Sequence, residues 1–143
     1  MKYLFILICL FLCSCSRSID LSMVYDEVKD QLPTLIEANE DVLEEIYDLD
    51  MEDIKQFVVY RPLSTVESDE FILIQAHENE VQDIKEDLDV YFEMMESYWK
   101  DVLPLQYEKI INRKEMIIED YYCVVVNEHA NEIITKVMEQ LKA

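Results

Sequence analysis

The chain contains no glycine in its 143 residues. Every reversal of the backbone must therefore be made by residues that carry a Cβ, and among these Asn and Asp enter the left-handed region most readily. Turns are expected at Asp48, Asp50, Pro62, Asn112 and Asp120, which separate stretches of periodic apolar residues. Phosphate-cradling loops and dinucleotide-binding turns need glycine for close backbone approach, so both are excluded.

The N-terminus carries an address. Met1-Lys2 precedes an apolar run from Tyr3 to Cys13, and Leu12-Cys13-Ser14-Cys15 is followed by polar Ser16-Arg17-Ser18. The run of 11 residues falls short of the roughly 20 that a helix needs to cross a hydrocarbon core, but it suits a secretory signal. We read residues 1–14 as a lipoprotein signal peptide cleaved between Ser14 and Cys15, with Cys15 taking the diacylglyceryl group. An uncleaved anchor or an ordinary signal peptide is the competing reading. Cleavage before Cys13 would put Leu12 at the position where a small residue is needed, which favours Cys15. Residues 15–20 then form a lipidated tether, at most about 20 Å long, and residues 21–143 form one acidic domain. The expected location is the extracytoplasmic face of the cell membrane, with Cys15 as the membrane attachment.

Charge narrows the partners. Loss of Lys2 with the signal leaves 11 Lys and Arg against 32 Asp and Glu, a net charge near −21. Nucleic acid is excluded as a partner because clustered cations are missing. The acids are interleaved with apolar residues, the pattern of solvated faces on amphipathic helices. Of four cysteines, only Cys123 lies beyond Cys15, so the fold is expected to rest on packing without an internal disulfide. Cys123 sits in Tyr-Tyr-Cys-Val-Val-Val and reads as a small buried hydrophobe, not as a reactive thiol.

Periodicity gives the order of elements. Leu21, Val24, Tyr25 and Val28 share a helical face, and Leu32-Pro33 ends that helix. A second helix points Val42, Leu43, Ile46 and Tyr47 inward, and Asp50 caps a single turn before a strand. Residues 56–61 and 70–77 form a strand pair, with Phe71-Ile72-Leu73-Ile74 apolar on both faces and so covered on both. The longest helix starts near Asn79 and carries Val81, Ile84, Leu88, Tyr91, Met95, Tyr98 and Val102 as its inward stripe. Pro104 kinks or restarts it. A hairpin over residues 116–126 turns at Glu119-Asp120. A last helix, capped by Asn127, points Ile133, Ile134, Val137, Met138 and Leu141 inward. The expected class is α+β, a single domain with an antiparallel sheet of about four strands in two hairpins, packed with amphipathic helices in the order α-α-β-β-α-β-β-α.

The segment Tyr98-Trp99-Lys100-Asp101-Val102-Leu103-Pro104-Leu105-Gln106-Tyr107, followed by a hairpin ending in Asp120-Tyr121-Tyr122-Cys123-Val124-Val125-Val126, resembles the bacterial lipoprotein family called domain of unknown function 4358. The likeness extends from about Leu32 to Leu141 and includes Val58-Val59-Tyr60 and Asp69-Glu70. It implies an exported, membrane-anchored domain of the kind found in Gram-positive bacteria, and it brings no known activity. Where the family tends to place glycine in the hairpin turn, this chain has Asp120.

Tyr98, Trp99, Pro104, Gln106 and Tyr107 are the candidate binding or structural signature. With Tyr91 and Phe92 the aromatics line either a groove beside Pro104 or the helix-to-sheet core, and the core is the commoner fate of such a stripe. His77 and His129 each follow a strand and open a helix, and they approach a metal site only if those strand ends lie together. They lack HxxxH or HxH spacing, so no metal is expected. Asp48-Leu49-Asp50-Met51-Glu52-Asp53 resembles the start of a calcium loop, but it lacks the central glycine and has Val59 at the twelfth position. Paired acids are too numerous to mark catalysis, and Ser64, Thr65 and Ser68 have no nucleophile motif around them. We expect no cofactor and no enzyme. The leading expectation is a non-catalytic binding or accessory module for another envelope component, a protein or peptide. A structural or stress-related envelope accessory without a ligand is second, and a hydrolase using acidic residues is a distant third.

Overall fold

The computed structural model describes residues 18–143. The proposed signal peptide, the cleavage position at Ser14 and the lipid-attachment residue Cys15 lie outside the described residues. The domain is α+β, built on one five-stranded antiparallel sheet.

In chain order the elements are α1 (Leu21–Asp26), β1 (Leu35–Glu37), α2 (Glu40–Tyr47), β2 (Ile54–Pro62), β3 (Glu70–Ala76), α3 (Val81–Trp99), α4 (Pro104–Ile111), β4 (Lys114–Ile118), β5 (Tyr121–Val126) and α5 (Ala130–Lys142). Two single 3-10 turns, Lys29–Gln31 and Met51–Asp53, precede β1 and β2. The strands lie in the order β1-β2-β3-β5-β4. β3 is central, and its whole length is buried. Side chains alternate across a strand, so Phe71 and Leu73 join a core with α1 and α5, while Ile72 and Ile74 join a second core with α2, α3 and α4. The expectation that β3 is covered on both faces is met.

Local chemistry explains the boundaries. Asn39 Oδ1 accepts from the Val42 N–H at 3.1 Å and caps α2. Asp50 Oδ1 accepts from the Glu52 N–H at 2.8 Å and caps the turn that leads into β2. Without glycine, positive φ falls on Asp48 (56°), Asn79 (69°) and Glu119 (54°). Asp48 ends α2, donating its N–H to the Leu43 carbonyl. The β4–β5 hairpin closes at Ile118 and Tyr121, and its left-handed residue is Glu119, not Asp120. A Cβ in that conformation costs roughly 1–2 kcal/mol.

The structure corrects several expectations. The described residues form five strands, because β1 pairs with β2 over Leu35–Glu37. Three residues show too short a run for any period to be visible. Of the two readings of Pro104, the restart holds and the kink does not: Pro104 occupies the first position of a separate helix, α4, where its missing N–H costs nothing. Asn127 does not cap α5 directly. Its Oδ1 accepts from the His129 N–H at 2.7 Å in the turn before the helix. Ile46, Tyr98 and Val102 were expected inside and are exposed. At about 100° per residue, Tyr98 lies roughly 70° around α3 from the mean direction of Ile84, Leu88, Met95 and Trp99. Val102 lies past the end of α3.

Candidate functional site

Three buried polar residues lead into β3: Ser68 and Asp69 just before the strand, and Glu70 as its first residue. A fully buried central strand leaves them little water, so each must find partners within the protein. The sequence signature provides some of them. Gln106, in the first turn of α4, accepts the Ser68 N–H at 2.9 Å and the Ser68 hydroxyl at 2.9 Å through Oε1. One turn further along α4, Lys109 Nζ donates to Asp69 Oδ2 at 2.8 Å, and Asn127 Nδ2 donates to Asp69 Oδ1 at 2.8 Å. Leu103-Pro104 thus starts α4 where it can clamp the chain entering β3.

Glu70 has its own set of partners. Tyr47 and Tyr91 donate their hydroxyls to Glu70 Oε1 at 3.0 and 2.7 Å, and Arg61 Nε lies 3.6 Å from the same oxygen. Burial raises the Glu70 carboxyl above its ordinary value, and hydrogen bonding from Tyr91 with the charge of Arg61 only partly opposes it. Burial first, and the Glu70 charge second, push both phenols well up, which keeps them as donors. Among the described residues, Glu70 Oε2 and Arg61 Nε have no hydrogen-bond partner. Tyr47, Arg61, Glu70 and Tyr91 come from α2, β2, β3 and α3, so this cluster ties two helices to the sheet.

A cavity of about 590 Å³ opens between α4 and the start of α5, with Leu105, Gln106, Lys109, Asn127 and Asn131 in its wall. An adjoining cavity of about 340 Å³ shares Gln106, Lys109 and Asn127 and reaches Gln31. The inner wall is polar, but Gln106, Lys109 and Asn127 are already bonded to Ser68 and Asp69.

The five signature residues divide in two. Trp99 is 2% exposed and packs in the core under α3, and Tyr107 is partly buried against the same core. Pro104 and Gln106 place and dock α4. Tyr98 stands outside, its ring 5.2 Å from that of Trp99 in an edge-to-face arrangement. It continues an exposed apolar ridge along α3, with Val90 67%, Met94 57% and Tyr98 54% exposed. Sequence reasoning missed the Asp69 and Glu70 partner sets. The available signal was two acids opening a strand apolar on both faces, a place where carboxylates need partners.

His77 and His129 do not meet. Glu70 pairs with Val126 and Gln75 with Tyr121, so the antiparallel register puts the two histidines at opposite ends of the sheet. Among the described residues no group of three or more His, Cys, Asp and Glu is placed to hold a metal ion. Cys123 is free and fully buried, and burial pushes its thiol well up.

The elements and the clamp define a class: a single α+β domain with a five-stranded antiparallel sheet covered by helices. The family model described as domain of unknown function DUF4358 matches residues 28–127, and the chain belongs to that family. The match starts just before Leu32 and ends at Asn127, leaving α5 beyond it. Comparison with curated proteins and with solved structures finds no match.

Proposed function

We propose that the chain is a lipid-anchored lipoprotein on the extracytoplasmic face of the cell membrane. Its acidic domain is a non-catalytic binding or accessory module for another envelope component, a protein or peptide. The anchor reading rests on Leu12-Cys13-Ser14-Cys15. Two acyl chains on such a cysteine retain a protein that one chain would release, at roughly 0.8 kcal/mol per buried methylene.

The observation that carries the binding half is the exposed ridge of Val90, Met94 and Tyr98. Large apolar side chains grouped on the outer face of a helix mark a place where a partner gains by covering them. Sheet geometry supports the same reading. The Ile19 carbonyl accepts from Gln56 at 2.9 Å, so the chain enters at the end of the sheet where Gln56 and Gln75 lie. Asp69 and α4 lie at the other end, about 20 Å away along β3. A domain held at Cys15 therefore presents α4 and the C-terminal half of α3 away from the bilayer. A structural accessory without a ligand is the second reading, favoured by the internal engagement of Trp99, Gln106 and Lys109.

Two measurements in cells test the proposal. Fatty-acid labelling should mark the wild-type chain and not Cys15→Ala, and label retained by the variant refutes the anchor. A photo-crosslinking residue at Tyr98 should give a discrete adduct with an envelope component, while the same residue at Lys136 on α5 should not. Equal patterns at both positions refute a partner at this face.

A further inference from the structure

The ridge on α3 also carries information about the chemistry of its partner. On a helix the neighbours of a residue lie three and four positions away. For Val90, Met94 and Tyr98 these positions include Glu86, Asp87, Glu93 and Asp101, and no Lys or Arg. Glu86, Glu93 and Asp101 are exposed and Asp87 partly so. The three apolar residues follow one another at steps of four, forming a strip along about two turns. Val102, 49% exposed in the turn after α3, extends it.

Resting on the binding reading above, we propose that this face receives a cationic amphipathic helix of another extracytoplasmic protein, its apolar stripe on Val90, Met94 and Tyr98 and its Lys or Arg residues against Glu86, Asp87, Glu93 and Asp101. A strip on one helix, flanked by one sign of charge, is matched by a second helix whose stripe is flanked by the other sign. Negative charge is dense here. Burial raises the Asp87 carboxyl above its ordinary value, and Asp48, Asp83, Asp53 and Glu86 raise it further. A second copy of this chain is a poor occupant, because it would bring the same four acids face to face on a protein of net charge −20. An anionic bilayer surface is repelled for the same reason. The cavity beside α4 competes poorly as a docking site, since Gln106, Lys109 and Asn127 are bonded within the protein.

The test uses the full-length chain in mild detergent and three synthetic peptides of about 20 residues. One has a leucine stripe flanked by lysines, the second has the same composition shuffled to abolish the stripe, and the third replaces lysine by glutamate. Binding is read by fluorescence anisotropy at about 0.15 M salt, where long-range attraction is screened. The lysine-flanked peptide should bind at least about ten-fold more tightly than the shuffled one, and the glutamate peptide should not bind. Val90→Ser with Met94→Ser should remove that preference while the melting midpoint stays near wild type. Glu86→Gln with Glu93→Gln should weaken binding without touching the apolar strip. Equal binding of the ordered and shuffled peptides overturns the proposal, as does an unchanged preference in Val90→Ser with Met94→Ser. Self-association that Met94→Ser abolishes also overturns it, in favour of a second copy. A crosslink at Tyr98 without any peptide preference refutes the cationic helix and leaves the binding reading standing; loss of both refutes the two together.

Discussion

Glu70 should behave as a structural carboxylate whose oxygen matters more than its charge. In Glu70→Ala, the hydroxyls of Tyr47 and Tyr91, now 3.0 and 2.7 Å from Oε1, lose their acceptor inside a core that excludes water. An orphaned buried donor costs roughly 1–3 kcal/mol. Arg61 also loses the carboxylate beside its Nε, which is itself buried, although the side chain as a whole is 27% exposed. The expected loss is about 3–5 kcal/mol, a large share of the roughly 5–15 kcal/mol that holds a domain together. Glu70→Gln keeps an oxygen for both tyrosines and removes a charge from a fully buried site, so near neutral pH it should stay within about 1 kcal/mol of wild type. The pH dependence gives a sharper readout. Burial raises the folded carboxyl above its unfolded value, so the folded state holds the proton more firmly than the unfolded chain does. Wild-type stability should therefore fall as pH rises from the unfolded carboxylate value through the raised folded value. Glu70→Gln lacks this loss. Its stability relative to wild type should climb over that interval and then level off. Urea unfolding followed by circular dichroism from about pH 4 to pH 7 measures it. A Gln variant that is more than about 3 kcal/mol weaker than wild type at neutral pH, with no pH-dependent difference, would show that the ionised carboxylate itself holds the cluster.

Two further outcomes follow from the core and the surface. Trp99→Ala should lose roughly 3–5 kcal/mol, whereas Trp99→Phe should lose much less, because the indole N–H has no partner among the described residues to forfeit; thermal melts compare them, and a Trp99→Ala midpoint within a few degrees of wild type would contradict the core placement. With a net charge of −20, raising salt from about 0.01 to 0.15 M should raise the melting midpoint by screening self-repulsion, and an unchanged or lower midpoint would count against that account.

What the sequence determined by itself was much of what depends on near neighbours. The cap at Asp50 forms over two residues, and the double-faced apolar run of β3 and the inward stripe of α5 are periodic patterns written along the chain. The family likeness rested on the same local features, the Trp99 to Tyr107 segment and the following hairpin. Tertiary structure decided what depends on the meeting of distant segments. β1 exists because β2 pairs with it, since three residues have no period of their own. The antiparallel placement of β5 beside β3 puts His77 and His129 at opposite ends of the sheet. The clamp on Asp69 joins Lys109, 40 positions away, to Asn127, 58 positions away. Glu70 gathers hydroxyls from two helices that sequence could only place as separate stripes. Tyr98 turned outward because a helix buries an arc whose centre is set by the surface beneath it. Periodicity supplies the arc, and only packing supplies its centre.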